Sequence, residues 1–207
     1  MAMNLETKDT ALLVIDMQNA FLDDRGSMVR RGFDTNRLRA AVKPCGRLIS
    51  AARASQVPII QTRYVYRADY RDAGVRVREI LPNTITTESL AAGSWDVEIV
   101  DALAPSGDDI VIDKNRPSAF IGTSLDLMLR GQGITSVVIC GITTNICVES
   151  TARDASQFDY RTFVVSDATA EMEQSRHDHA INTLGFLFAR IVTVDEVADA
   201  WNARVNS

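Results

Sequence analysis

Six short runs of apolar, often β-branched residues recur along the chain. They are ALLVID (11–16), VPIIQT (57–62), DIVIDK (109–114), SVVICG (136–141), RTFVVS (161–166) and ARIVTV (189–194). Apolarity in these runs is near-continuous, where a half-exposed strand would alternate with polar residues. That is the pattern of strands covered on both faces, as in a parallel sheet. Between them, residues 34–55, 123–132, 145–158, 175–187 and 195–205 carry helical spacing. In the first of these, Leu38, Val42, Leu48, Ile49 and Ala52 fall on one side, and Asp34 or Thr35 is suited to cap it. Strand and helix alternating in this way predict an α/β domain with right-handed crossovers. Residues 63–108 break the rhythm. Polar, irregular and too long for a plain connection, they predict a short helix or an excursion over the active site. Nothing splits the chain, so 1–207 reads as a single domain.

In an open α/β sheet, ligands bind beyond the carboxyl ends of the strands. Three reactive side chains fall at such ends: Asp16 closes ALLVID, Lys114 closes DIVIDK, and Cys147 lies in the GITTNIC turn after SVVIC. Taken singly, each has an ordinary reading. Asp16 can end a strand or cap a turn, Lys114 can be a solvated lysine, and a free cysteine is commonly a small buried apolar residue. Their coincidence points to chemistry.

Thr143, Thr144 and Asn145 are all good N-cap types, so a helix is expected to start there with Cys147 in its first turn. The positive end of that helix and a neighbouring ammonium both favour a thiolate. Gly141 permits backbone geometry that a Cβ would obstruct. The only histidines, His177 and His179, follow no strand end, which makes Asp16 the better-placed base. Spaced i and i+2 on a helix, they point apart and read as helix-face or packing residues, with no metal-ligand cluster around them. The glycines of GQGITS (131–136) come between helix and strand, the reverse of a dinucleotide loop, and read as a helix C-cap and turn. Cys45 falls within a helical pattern and Cys140 within a strand, which makes both structural.

Composition adds exclusions. The 22 basic and 27 acidic residues give a net charge of −5, no footprint for nucleic acid. No apolar run approaches the ~18–20 residues of a membrane span. MAMNLETKDT lacks the layout of a signal peptide, so a cytoplasmic location is expected. Three cysteines without C-x-x-C spacing argue against a disulfide framework or a zinc site.

Three segments, ALLVIDMQNAFLD (11–23), DKNRPSAFIGTSLD (113–126) and GITTNICVESTARDA (141–155), together resemble the isochorismatase-like cysteine hydrolases. The resemblance runs from about residue 9 to residue 197. With GSWDVEIVDALAP (93–105), it is most similar to the ureidoacrylate and biuret hydrolase branch. It implies a three-layer α/β/α fold around a six-stranded, mostly parallel sheet. It also implies a catalytic triad of Asp16, Lys114 and Cys147, a cis peptide at Ile142–Thr143, and an oxyanion hole from the N–H groups of Thr143 and Cys147. The implied activity is hydrolysis of a C–N bond in a small amide, ureido or carbamoyl substrate through a thioester. No cofactor or metal is implied, and a homodimer or homotetramer is. Gln18, Phe21, Arg116 and Asn145 are candidate substrate contacts, with Arg116 or an arginine from 63–78 suited to a carboxylate.

Metal-binding nicotinamidases carry histidines after the second strand, whereas QTRYVYRADYRDAG has none. A metal-independent nicotinamidase-like amidase, an isochorismatase-type vinyl-ether hydrolase and a non-catalytic binding domain stand as alternatives. The cysteine weighs against the second and the complete triad against the third.

Overall fold

A computed structural model describes residues 5–205; residues 1–4 and 206–207 of the expected domain, and the start of the MAMNLETKDT segment, lie outside the described residues. The six apolar runs form six strands: β1 (Thr10–Ile15), β2 (Ile59–Tyr64), β3 (Ile110–Lys114), β4 (Ser136–Ile142), β5 (Arg161–Ala170) and β6 (Arg190–Val192). They make one sheet in the order β3-β2-β1-β4-β5-β6. Every pairing in it is parallel, in line with the expected six-stranded, mostly parallel sheet.

Burial explains the composition of the strands. All six residues of β1 and all seven of β4 are buried, as central strands covered on both faces require. β3, at an edge, alternates more. The chain runs outward from β1 through β2 to β3, then returns to the other side of β1 and runs outward again through β4, β5 and β6. Right-handed crossovers in opposite directions put their helices on opposite faces. Accordingly α3 (Val42–Ala54) packs with α8 (Val194–Val205), and α6 (Glu149–Gln157) packs with α7 (Gln174–Leu187). The reversal between β1 and β4 is a topological switch point, where a crevice opens beyond the strand ends.

Local chemistry shifts several expected boundaries. The helix expected from residue 34 begins as a 3-10 stretch, Asn36–Ala41, before α3 takes over. Pro44 then falls in the first turn of α3, where its missing N–H costs no intrahelical bond. α5 (Leu125–Gly131) ends as expected at GQGITS, with Gly133 at φ +70°. β5 runs four residues past RTFVVS, and its register against β4 shifts between Ile139 and Gly141. Among the described residues, no helix is long and apolar enough to cross a membrane.

The expected excursion at 63–108 is present. It contains a π-helical turn (Arg76–Ile80), α4 (Asn83–Thr86) and two 3-10 turns. Buried Asp96 fixes it by accepting the N–H groups of Ser27 and Leu90 at 2.9 and 3.0 Å. It thereby joins α1 (Asn19–Leu22) and α2 (Ser27–Arg30) above the strand ends.

Candidate active site

Asp16 follows β1 with φ +51°, a left-handed conformation that Asp tolerates better than most residues. The turn there directs the carboxylate between two partners. Thr62 Oγ1, near the end of β2, donates to Asp16 Oδ1 at 2.6 Å. Lys114 Nζ, at the end of β3, donates to Oδ2 at 2.7 Å and to the Arg116 carbonyl at 3.1 Å. The ammonium also lies 4.3 Å from the centre of the Tyr64 ring. Both oxygens of the carboxylate are therefore engaged, and its orientation is fixed.

Cys147 reaches the same place from β4. Gly141 makes that approach possible: its φ is +111°, and a Cβ there would lie 2.2 Å from the Ile15 carbonyl oxygen. The Ile142–Thr143 peptide is cis, as the resemblance implies. The turn beyond it differs from expectation. Thr143 occupies the N-cap, but its side chain makes no cap bond, and Thr144–Val148 is a π-helical turn leading into α6. Thr151 Oγ1 donates to the Cys147 carbonyl at 2.7 Å and ties the turn to the following helix.

The thiol interacts with both Asp16 and Lys114, and the influences that favour a thiolate are outweighed. Burial is the largest influence and pushes the thiol up to about 12. The Lys114 ammonium pulls it down, and the Asp16 carboxylate pushes it up. Desolvation outweighs the cation because the sulfur is enclosed, only 7 % of the residue being exposed. A neutral thiol beside a carboxylate is an acid–base pair awaiting a proton transfer.

Cys147 and Thr143 open onto a cavity of about 240 Å³. Phe21, Met28, Leu81, Leu90, Ile142 and Met172 make much of its wall apolar, and Arg31 and Arg76 bring guanidinium groups to it. Of the four expected substrate contacts, only Phe21 lines this cavity. Gln18 is fully buried and spent on the backbone: Nε2 donates to the carbonyls of Tyr64 and Val97, and Oε1 accepts the Tyr64 N–H. Arg116 Nη1 donates to the carbonyls of Asp72 and Asn115, holding the excursion against the end of β3. Asn145 donates its backbone N–H to Glu171, and its Oδ1 is buried without a partner. Gln18 and Arg116 have local backbone to satisfy, and Asn145 is absent from the cavity wall, which a linear motif does not reveal.

Thr62, Tyr64, Arg31 and Arg76 escaped individual notice in the sequence. Thr62 closes VPIIQT much as Asp16 closes ALLVID, so its strand-end position was an available signal. Arg76 belongs to the 63–78 arginines, but nothing in the sequence separates it from Arg63, Arg67, Arg71 or Arg78. His177 packs behind the cysteine turn with Nδ1 2.9 Å from Thr144 Oγ1, in keeping with a packing histidine. Cys45 and Cys140 are fully buried, consistent with structural roles.

The isochorismatase domain family matches residues 10–196. The chain is 36% identical over 179 residues to the ureidoacrylate amidohydrolase RutB of Azorhizobium caulinodans, covering 81% of this chain and 78% of that protein. A cysteine hydrolase from Pseudomonas syringae pv. phaseolicola superposes with a TM-score of 0.90 at 32% identity, covering 97% of this chain and 96% of the other. The N-carbamoylsarcosine amidase of Thermoplasma acidophilum follows the same fold with a TM-score of 0.74 at 30% identity, over 90% and 97% of the two chains. A family match across nearly the whole parallel sheet, with relatives of this similarity, means that the chain belongs to the isochorismatase family of hydrolases.

Proposed function

We propose that the protein is a cysteine-dependent amidohydrolase that cleaves a C–N bond in a small amide, ureido or carbamoyl compound. The observation that carries the reading is the meeting of Asp16, Lys114 and Cys147, from three different strand ends, with the cysteine in the wall of the cavity. The names of the similar amidohydrolase and amidase favour C–N over ether cleavage.

Asp16 takes the thiol proton as Cys147 Sγ attacks the substrate carbonyl carbon. The carbonyl π pair moves onto oxygen, where the N–H groups of Thr143 and Cys147 stabilise the oxyanion. When the C=O re-forms, the C–N bond breaks and the leaving nitrogen takes the proton from Asp16. Ammonia or an amine departs and leaves a thioester. Water then gives a proton to Asp16 and adds to the thioester carbon. Collapse breaks the C–S bond, the sulfur recovers the proton, and the acid product is released. Lys114 holds the carboxylate in line and offsets negative charge as the thiolate forms. Neither half-reaction needs a redox partner.

The test is ammonia release from a panel containing biuret, 3-ureidoacrylate, N-carbamoyl amino acids and nicotinamide. Wild-type protein should release ammonia from at least one member, and Cys147→Ala, with an unchanged circular dichroism spectrum, from none. Unchanged turnover in that variant rejects the mechanism. Ammonia release that survives Cys147→Ala but is lost in Asp16→Asn replaces the cysteine nucleophile with a water activated by Asp16.

A further inference from the structure

Two guanidinium groups face the cavity without a carboxylate to pair with. Arg76, partly buried, is held from behind: Nη2 donates to the hydroxyls of Tyr64 and Tyr66. Tyr64 in turn donates to the Asn115 carbonyl at 3.0 Å, so the Arg76 group is fixed through a tyrosine whose ring also lies beside Lys114. Arg31, also partly buried, reaches the cavity from the residue just after α2. Its Nε donates to Asn83 Oδ1 at 3.3 Å, its Nη1 lies 3.3 Å from Met28 Sδ, and its Cζ is 5.3 Å from the Phe33 ring centre. Its Nη2 is buried with no hydrogen-bond partner.

Among the described residues, neither arginine forms an ion pair; Arg30, by contrast, lies within 3.9 Å of Asp96, and Arg176 within 2.9 Å of Glu173. Glu171, the carboxylate in the cavity wall, spends its oxygens on the N–H groups of Met172 and Asn145. Burial pulls both guanidiniums down, and each also feels a like charge, Arg76 acting on Arg31 and Arg116 on Arg76. Two half-buried cations that face one cavity, one of them with an unused buried donor, gain when an anion joins them. The Cys147 sulfur is close enough to interact with Arg76, which puts this charge within a small molecule's length of the reacting atom.

We propose that Arg31 and Arg76 form an anion subsite that selects substrates carrying a carboxylate a few bonds from the scissile carbonyl. The cavity of about 240 Å³ restricts such a substrate to a compact ureido or carbamoyl acid. Arg76 is the fixed member of the pair. Arg31, with an unsatisfied Nη2, gains most when the anion enters. The assignment rests on the amidohydrolase reading for its kinetic readout, but not for its binding readout.

The experiment compares matched pairs: 3-ureidoacrylate against its neutral carboxamide, and N-carbamoyl-β-alanine against its carboxamide. Wild type is expected to prefer an acid over its carboxamide by on the order of 100-fold in kcat/KM, mostly through KM. In Arg76→Met and Arg31→Met that ratio should collapse toward one, and Arg76→Lys should retain part of it. A wild-type ratio near one overturns the proposal without any variant. So does a ratio that survives both Met substitutions. If wild type hydrolyses none of these four compounds, the kinetic comparison gives no ratio, and ammonia release from the wider panel alone decides the amidohydrolase reading. The subsite is then decided by calorimetric titration of the wild-type protein with each acid and each carboxamide. Binding of an acid but not its carboxamide sustains the subsite, and equal binding or none rejects it.

Discussion

The Lys114 ammonium lies 2.7 Å from the Asp16 carboxylate, with both side chains closed off from water. Such a pair contributes little net stability, because desolvation offsets attraction, but removing one partner strands the other. Lys114→Met should therefore lower the unfolding free energy by about 3–5 kcal/mol, measured by urea denaturation. Asp16→Asn combined with Lys114→Met should cost clearly less than the two single changes added together. An additive double mutant contradicts the pairing.

A thiol pushed up to about 12 by burial keeps its proton far above neutrality. Alkylation of Cys147 by iodoacetamide should be slower at pH 7–8 than that of the same cysteine in urea, and should still be accelerating at pH 10. The unfolded thiol titrates near 9.0, so from there to about 12 the folded state holds a proton that the unfolded state has lost. This site's contribution is thus intact below pH 9 and is lost as pH rises toward 12. Cys147→Ala should flatten that part of the stability profile relative to wild type. A fast, pH-independent alkylation at pH 7 contradicts the neutral thiol.

Gly141 is a position where a methyl group should be intolerable. Its φ of +111° is unfavourable for an L side chain, and its added Cβ would meet Ile15 backbone atoms at 2.2, 2.6 and 2.9 Å. Gly141→Ala should cost roughly 3 kcal/mol or more and depress the melting temperature by many degrees. Gly131→Ala, which meets nothing within 4 Å, is the matched control and should change little. Similar melting temperatures for the two variants would contradict the close approach.

Gln18→Leu separates a structural glutamine from a substrate contact. The substitution leaves the Tyr64 N–H and the carbonyls of Tyr64 and Val97 without their present partners, at roughly 1–3 kcal/mol for each group left unsatisfied. Urea denaturation should show the loss. Wild-type stability in this variant, with a raised KM, would restore Gln18 as a substrate contact.

The framework was legible because its signals are local and repeated. Continuous apolar runs announce buried parallel strands, and parallel strands bring their carboxyl ends to one side. Asp16, Lys114 and Cys147 could thus be grouped although 131 positions separate the first from the last. The cavity wall was less legible, for a definite reason. Gln18, Arg116 and Asn145 lie beside the triad in sequence, yet backbone groups around the excursion claim Gln18 and Arg116, and Asn145 meets Glu171 through its backbone N–H alone. Arg31 and Arg76 come from short irregular elements whose direction depends on tertiary anchors such as Asp96. The thiol's proton affinity escaped for a similar reason. A motif shows the helix start and the lysine but not the enclosure that outweighs them.

The reacting pair stands on the central strands, whereas much of the opposing wall comes from a segment inserted between the second and third. Heritable change can therefore act on the two separately. A mutational library confined to Arg76–Leu90 explores which molecules are admitted while the acid–base machinery stays untouched. This modularity supplies a physical route by which one scaffold acquires new preferences without reinventing its reaction.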